Sequence, residues 1–185
     1  MDAEQRAIGT SGGASAARAL DAAALGDFVA EHYDRLIRLA RLVSHDVDDA
    51  DDAVQAGLEV AWRRRSTLRD EALLRPWLDR IVVREAIRVG RVRRSWLSRL
   101  VHPTSDVGWI ATAGTRQEPG PTRVALQRAF LGLSAEQRAV VALHLHAGYS
   151  IAETADMVDA PIETVRSRLR LARERLRHAL EEVVQ

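Results

Sequence analysis

Cysteine is absent from this 185-residue sequence, which excludes a disulfide framework and thiolate metal ligands and fits a reducing compartment. Aromatic residues make up only 4% of the chain, so aliphatic side chains must fill any core. The longest uninterrupted apolar run, Ala139–Leu143, is far shorter than the roughly 20 residues of a membrane span. No basic segment followed by an apolar one opens the chain, so we expect a cytoplasmic protein without membrane insertion.

Lysine and asparagine are also absent, and all 27 basic residues are arginine. The net charge of +1 conceals a strong segregation of charge along the chain. Six carboxylates and no basic residue lie between Asp46 and Trp62, whereas six arginines lie in each of the segments 84–99 and 163–177. One acidic and two basic segments predict at least two kinds of binding partner.

Apolar periodicity predicts a helical protein. Apolar residues recur at three- and four-residue steps from about Asp27 to Val43, and again over about 48–65 and 76–94. The carboxylates that open the second segment suit the positive end of a helix dipole, and Pro76 suits a first helical turn. The segment between Ser66 and Arg75 is predicted to be a loop or short turn.

Two stretches lack this periodicity. Residues 1–22 are rich in Ala, Gly and Ser, which predicts a disordered tail. Residues 98–121 contain repeated Gly and Pro, which predicts a linker, because a structureless segment of that length is unusual inside one compact domain. The predicted fold class is therefore all-α, with two small helical domains, 23–97 and 122–185, joined by a flexible linker.

The second domain has the pattern of a helix-turn-helix unit. A first helix is expected over 123–131, and Ser134–Gln137 and Ser150–Glu153 are capping boxes that each open a further helix. A tight turn follows at 159–161, and a long helix is expected over about 162–184. The small Ala155 lets two helices cross closely over a core of Ile151, Val158, Val165 and Leu169. This arrangement is typical of helix-turn-helix DNA-binding domains.

The first half of the long helix carries polar and basic side chains that suit the major groove and its phosphates. They are Thr164, Arg166, Ser167 and Arg170. The alternative is a surface helix with solvated charges, but like charges at the pairs 166/170 and 173/177 would cost such a helix a few tenths of a kcal/mol each. An anion against this face removes that cost, so DNA binding is the favoured interpretation.

Motifs in the two domains together resemble the extracytoplasmic-function (ECF) sigma factors. In the first domain the segments Asp48–Gln55, Trp62–Arg64, Pro76–Ile81 and Arg91–Arg94 resemble region 2 of that family. In the second domain the segments Leu133–Arg138, Glu153–Ala155, Thr164–Leu169 and Ala172–Arg173 resemble region 4. The resemblance covers about residues 24–97 and 122–180, in the family's order.

This resemblance implies an alternative sigma factor that binds bacterial core RNA polymerase and directs promoter recognition and transcription initiation. The polymerase-binding positions would be Asp51, Asp52 and Gln55, with Ala50 packing inward. The −10 promoter element would be read and melted by the third helix, through Arg80, Arg84, Arg88, Arg91, Arg93 and Arg94. The −35 element would be read by Thr164, Arg166, Ser167, Arg170 and Arg173.

Three further expectations concern the first domain. By the same resemblance, the loop 66–75 would hold a flipped-out base of the melted strand. Trp62 and Trp77 are interpreted as core residues rather than as wedges that melt DNA. Gly57 departs from the family, which usually has a larger residue there, and costs its helix roughly 1 kcal/mol relative to alanine.

The sequence shows no glycine-rich phosphate loop, no nucleophile elbow and no metal triad, so we expect neither an enzyme nor a cofactor or metal site. His144 and His146 are two positions apart on a helix and therefore point apart. Two alternatives stay open: a helix-turn-helix regulator that acts without core polymerase, and a helical adaptor whose basic helices are merely solvated. The resemblance also implies an anti-sigma factor as a further partner.

Overall fold

The computed structural model describes residues 20–97 and 120–184, with side chains described over 20–93 and 120–183. Every regular element in these ranges is helical, as predicted. The tail predicted over 1–22 and the linker predicted over 98–121 fall almost wholly outside the described residues. Leu20 is an exception, since its N–H donates to the Leu68 carbonyl at 3.1 Å and its side chain is buried.

Three helices form an N-terminal unit, residues 20–97. They are α1 (Ala22–Val43), α2 (Val47–Arg64) and α3 (Leu74–Leu97), and two single 3-10 turns, Arg65–Thr67 and Glu71–Leu73, connect α2 to α3. Helix α1 begins about five residues earlier than periodicity predicted, because the Asp21 carboxylate caps it by accepting from the Ala24 N–H at 2.7 Å. The predicted loop is confirmed as these two turns, although α3 begins two residues before Pro76.

The core of the N-terminal unit lies where the three helices meet. Leu36, Val54, Leu78 and Val82 are completely buried there. Helix α2 approaches α3 closely at Gly57, since a Cβ at that position would lie 3.1 Å from Val82 Cγ2 and 3.3 Å from Val82 Cα. Gly57, which the sequence marks only as a propensity cost, therefore permits the contact between α2 and α3.

Four helices form a C-terminal unit, residues 120–184. They are α4 (Pro121–Leu131), α5 (Ala135–Val141), α6 (Ile151–Val158) and α7 (Ile162–Val184). Both predicted capping boxes are present, at Ser134 with Gln137 and at Ser150 with Glu153. Helix α5 continues directly into a widened π turn, Ala142–His146.

Helices α6 and α7 form the predicted helix-turn-helix. Asp159 adopts a left-handed conformation (φ 54°) that ends α6, which an Asp tolerates better than most residues. The predicted wedge is confirmed, because Val165 and Leu169 are buried with Ala155 and Val140, and Ile151 and Val158 pack against them.

The two units pack directly against each other, which the sequence did not predict. One apolar cluster, which we call the shared cluster, draws Leu39, Val43, Ala53, Val83, Ala86 and Ile87 from the N-terminal unit and Ala139, Ala142, Leu143 and Met157 from the C-terminal unit. Arg138 of α5 is completely buried beside it and donates from Nε to the Val43 carbonyl at the end of α1, at 2.9 Å. The helices described are each too short or too polar to cross a membrane.

Candidate protein and nucleic-acid interfaces

One face of α2 is acidic and exposed, and the opposite face is buried. Asp51, Asp52 and Gln55 are exposed, whereas Ala50 and Val54 are completely buried. The helical period places these two sets on opposite sides, and Ala50 packs inward as predicted. The polymerase-binding positions implied by the resemblance therefore share an accessible surface, which we call the acidic face (Asp51, Asp52, Gln55).

A shallow recess with two exposed aromatic side chains adjoins the acidic face. Tyr33, Leu58 and Trp62 line it together with Asp51 and Gln55. Trp62 is 50% exposed, so the prediction that it is a core residue is wrong. It follows the buried Ala61 by one position, and the 100° step between neighbouring residues turns it out of the core.

The exposed Trp62 ring is in contact with Arg65. The Arg65 guanidinium carbon lies 4.4 Å from the ring centroid, in the geometry of a cation–π interaction. Trp77, which was also predicted to be a core residue, is half-buried and packs against the core of the N-terminal unit. Sequence reasoning missed the aromatic recess because apolar spacing alone does not separate the middle of a buried stripe from its edge.

The arginines predicted for the −10 element do not form one continuous stripe. Arg80, Arg84 and Arg91 face the C-terminal unit, whereas Arg88 pairs with Glu85 on α3 itself at 2.6 Å. Arg93 lies on another side of the helix and reaches the first turn of α2. The side chain of Arg94 lies outside the described residues.

Arg84 and Arg91 form direct bonds to the C-terminal unit. Arg84 donates from Nε to the Met157 carbonyl at 2.8 Å and from Nη2 to the Asp156 carbonyl at 3.1 Å. Its burial, together with the nearby positive charge of Arg80, lowers the pKa of Arg84. Arg91 donates from Nε to Glu136 at 2.9 Å. Arg80 borders a recess lined by residues of α6 and the following turn.

Arg93 joins α3 to the N-terminus of α2. It forms ion pairs with Asp49, at 3.1 Å, and with Asp46. Burial raises the pKa of Asp49, and the hydrogen bond from Arg93 opposes that rise. Because Asp46 also caps α2 by accepting from the Asp49 N–H at 2.8 Å, Arg93 contributes to the structure of the N-terminal unit in this conformation.

The long helix α7 presents a basic face to solvent. Arg166, Ser167, Arg170 and Arg173 are exposed and Thr164 is half-buried, so the residues predicted for the −35 element lie on an accessible helix. A shallow groove along this face is lined by Arg166, Arg170, Arg173 and Arg177. We call these four residues the basic face of α7. Arg166 pairs with Glu163, and Arg170 pairs with Glu174 at 2.8 Å. These carboxylates partly offset the repulsion between arginines that lie four positions apart.

No group of three His, Asp or Glu side chains within the described ranges is arranged to hold a metal ion. His144 is engaged locally, with Nδ1 placed 2.7 Å from the Tyr149 carbonyl.

Comparison with protein families and relatives gives a consistent result. Residues 28–98 match the family described as Sigma-70 region 2, and residues 123–176 match Sigma-70, region 4. The chain is 40% identical over 149 residues to the ECF RNA polymerase sigma factor SigM of Mycobacterium tuberculosis, covering 80% of this chain and 73% of SigM. It is 33% identical over 177 residues to the ECF RNA polymerase sigma factor SigL of the same organism, covering 91% of this chain and 96% of SigL.

Solved structures show the same architecture. The sigma factor RpoE from Bartonella quintana, crystallised with the anti-sigma factor NepR, superimposes with a TM-score of 0.65 and 26% identity, covering 84% of this chain and 97% of RpoE. The structure of CnrH with the cytosolic domain of CnrY superimposes with a TM-score of 0.58 and 24% identity, covering 88% of this chain and 90% of CnrH. The second likeness supports the fold alone.

Proposed function

Because this chain belongs to the ECF RNA polymerase sigma factors, we propose that it binds bacterial core RNA polymerase in the cytoplasm and directs it to promoters, with a separate surface for each task. The observation that carries this division is the opposite charge of two exposed helical faces, the acidic face and the basic face of α7. The chain is a transcription initiation factor and not an enzyme. In this proposal the polymerase alone catalyses RNA synthesis.

The acidic face is the polymerase-docking surface in this proposal. A carboxylate cluster over a buried apolar back suits a basic partner surface, where complementary charge raises the rate and specificity of association. The aromatic recess of Tyr33, Leu58 and Trp62 continues this surface. Exposed aromatic side chains are common among the residues that contribute most to protein interfaces.

Promoter DNA would contact both units. The basic face of α7, with Thr164 and Ser167, would lie in the major groove at the −35 element, where an Arg side chain can form a bidentate contact with guanine. Arginines of the same face can also contact the phosphates. Helix α3 would contact the −10 element through Arg80, Arg84, Arg88 and Arg91. Arg93 and Arg94, at the end of this helix, would contact phosphates. Arg93 would first have to leave its ion pairs with Asp46 and Asp49.

A helix-turn-helix regulator that acts without core polymerase is not favoured. Such a protein has no need of the first domain found here, whose residues 28–98 match Sigma-70 region 2. The likeness to RpoE, a sigma factor in complex with its anti-sigma factor, supports the further proposal that an anti-sigma factor holds this chain inactive.

Charge reversal on the acidic face tests this division of labour. The double variant D51R/D52R is expected to lower co-purification with core polymerase at least tenfold, since it places cations against a basic partner surface. Affinity for promoter duplex should stay within twofold, because α7 is unchanged. Both quantities are measured on the full chain, by affinity pull-down with core polymerase and by fluorescence anisotropy with labelled DNA.

The matched control is D27R/E31R. It makes the same change in charge at two exposed positions of α1 and is expected to leave polymerase binding within twofold of the parent. Equal loss of polymerase and DNA binding in D51R/D52R, or equal loss of polymerase binding in both double variants, would contradict the assignment of docking to the acidic face.

A further inference from the structure

The segment that precedes α1 is bonded to the connection between α2 and α3. We call that connection the α2–α3 loop (residues 65–73); it consists of the two 3-10 turns and the residues between them. Leu20 donates from its backbone N–H to the Leu68 carbonyl at 3.1 Å. Leu20 and Leu68 are 3% and 7% exposed, and both belong to the apolar core of the N-terminal unit. A backbone bond and a buried side chain thus join the start of this unit to the middle of the loop.

The other backbone hydrogen bonds of the α2–α3 loop are local. The Leu68 N–H donates to the Arg65 carbonyl at 3.3 Å, and the Leu73 N–H donates to the Asp70 carbonyl at 3.1 Å. Each of these bonds closes a turn and connects it to nothing further away. Among the described residues, the bond from Leu20 is therefore the one backbone hydrogen bond between this loop and a residue distant in sequence.

The start of α1 holds Leu20 in place. Asp21 follows it directly, and the Asp21 carboxylate accepts from the Ala24 N–H at 2.7 Å. Leu25 is 4% exposed and belongs to the same apolar core. The helix cap at Asp21 and the buried side chains on both sides of it fix the course of the chain into α1. The Leu20 N–H therefore has a fixed position from which it can bond the loop.

The α2–α3 loop presents several side chains to solvent immediately before α3, the helix to which we assign the −10 element. Ser66, Thr67 and Arg69 are exposed, and Leu73 is 53% exposed. The resemblance to ECF sigma factors implies that this loop receives a flipped-out base. Removing a base from the stack costs free energy, and a loop that is ordered beforehand adds no ordering cost of its own.

We propose that Leu20 is a positioning residue for reading the −10 element, since its N–H and its side chain hold the α2–α3 loop in the conformation that receives the flipped-out base. Leu20 is buried and acts through the loop, without touching DNA. The inference rests on the proposed function and on the role that the resemblance implies for the loop. It gives a task in promoter opening to a residue of the segment that the sequence predicted to be a tail.

Proline at position 20 tests the backbone bond. L20P removes the N–H donor and keeps an apolar side chain. The matched control is A22P, which places the same residue at the first position of α1, where proline is favoured and the N–H has no intrahelical partner. Asp21 already has the extended backbone (φ −81°, ψ 169°) that a residue before proline adopts. L20M is the conservative variant, because it keeps both the N–H and a large apolar side chain.

The measurement uses the full chain bound to core polymerase. The probe is a fluorescein-labelled single-stranded oligonucleotide with the non-template sequence of a −10 element found by transcript mapping, and its Kd is measured by anisotropy. A second series replaces each base in turn with an abasic site. The abasic position that weakens binding by the parent most identifies the captured base.

We expect L20P to bind the complete oligonucleotide at least fivefold more weakly than the parent. On the oligonucleotide that lacks the captured base the two should agree within twofold, because the loop then has no base to receive. L20M and A22P should bind both oligonucleotides within twofold of the parent. Affinity of L20P for core polymerase and for −35 duplex should also stay within twofold, as expected if the rest of the fold is intact.

Two results would overturn the proposal: L20P binding the complete oligonucleotide as tightly as the parent, or L20P losing the same affinity for complete and abasic oligonucleotides. The second result would show that the substitution only destabilises the fold. A parent that starts transcription but prefers no base over its abasic site would also overturn the proposal and leave the proposed function standing. A parent that starts no transcription would overturn both.

Discussion

Arg138 illustrates how one residue holds distant parts of this chain together. Its guanidinium is completely buried and donates to the carbonyls of Val43, Leu131 and Leu133. Val43 lies 95 positions away in sequence, at the C-terminal end of α1, where helical carbonyls lack intrahelical partners. The positive charge also suits the negative end of the α1 dipole.

Replacement of this arginine tests its structural role. Arg138→Met keeps much of the side-chain volume but removes the donor to two buried carbonyls and one part-buried carbonyl, and a buried acceptor left without a donor costs about 1–3 kcal/mol. We expect the free energy of unfolding to fall by about 3 kcal/mol, measured by urea denaturation. Arg128→Met, at an exposed position of α4, should change it by less than about 0.5 kcal/mol. Equal effects of the two substitutions would contradict the role of Arg138.

Single-residue features could be predicted where the interacting partner is close in sequence, and they were missed where the partner is distant. Both capping boxes and the turn at Asp159 were predicted, because their partners lie within three or four positions. Arg138 carries no comparable signal, since an arginine in an amphipathic helix is usually exposed and its partner at Val43 is set by the tertiary fold. The exposure of Trp62 was missed for a different reason, because apolar spacing does not separate the middle of a buried stripe from its edge.

At the scale of elements, the contact between α2 and α3 depends on a glycine. A helix-interior glycine ordinarily costs about 1 kcal/mol relative to alanine. Gly57 is buried, however, and a methyl group there would meet both the side chain and the backbone of Val82 at 3.1–3.3 Å. Gly26, also inside a helix, is exposed and would place its methyl group in open space.

The two glycines therefore predict opposite effects of the same substitution. Gly57→Ala should lower the free energy of unfolding by about 1 kcal/mol, because overpacking costs more than the helix propensity returns. Gly26→Ala should raise it by about 0.5–1 kcal/mol. Thermal or urea unfolding of the two single variants measures both. A stabilised Gly57→Ala would show that α2 and α3 are not in close contact.

The helices themselves were largely predictable, because apolar spacing, capping residues and glycine–proline punctuation are local signals. Helix ends shifted by up to five residues, where a cap such as Asp21 was not recognised. The π turn at Ala142–His146 has no sequence signature that we identified.

At the scale of the whole molecule, the division into two helical units follows from the sequence but their mutual packing does not. Helix α3 has enough apolar residues to complete the core of the N-terminal unit. No sequence signal therefore distinguished its Val83 and Ile87 as members of the shared cluster. The predicted polymerase and −35 residues are accessible on the surface. The predicted −10 arginines are divided between the unit interface, α3 itself and the first turn of α2.

Mapping of transcripts tests most directly the central claim that this chain directs core polymerase to promoters. Core polymerase with and without the full chain is given a library of genomic fragments, and the 5′ ends of the RNA are sequenced. We predict new start sites that share two upstream elements about 25 base pairs apart. The variant R166A/R170A should lose its preference for the −35 element, because each arginine that bonds guanine contributes about 1–3 kcal/mol of discrimination between bases. No start sites beyond those of core polymerase alone, in conditions where a known sigma factor produces them, would contradict the claim.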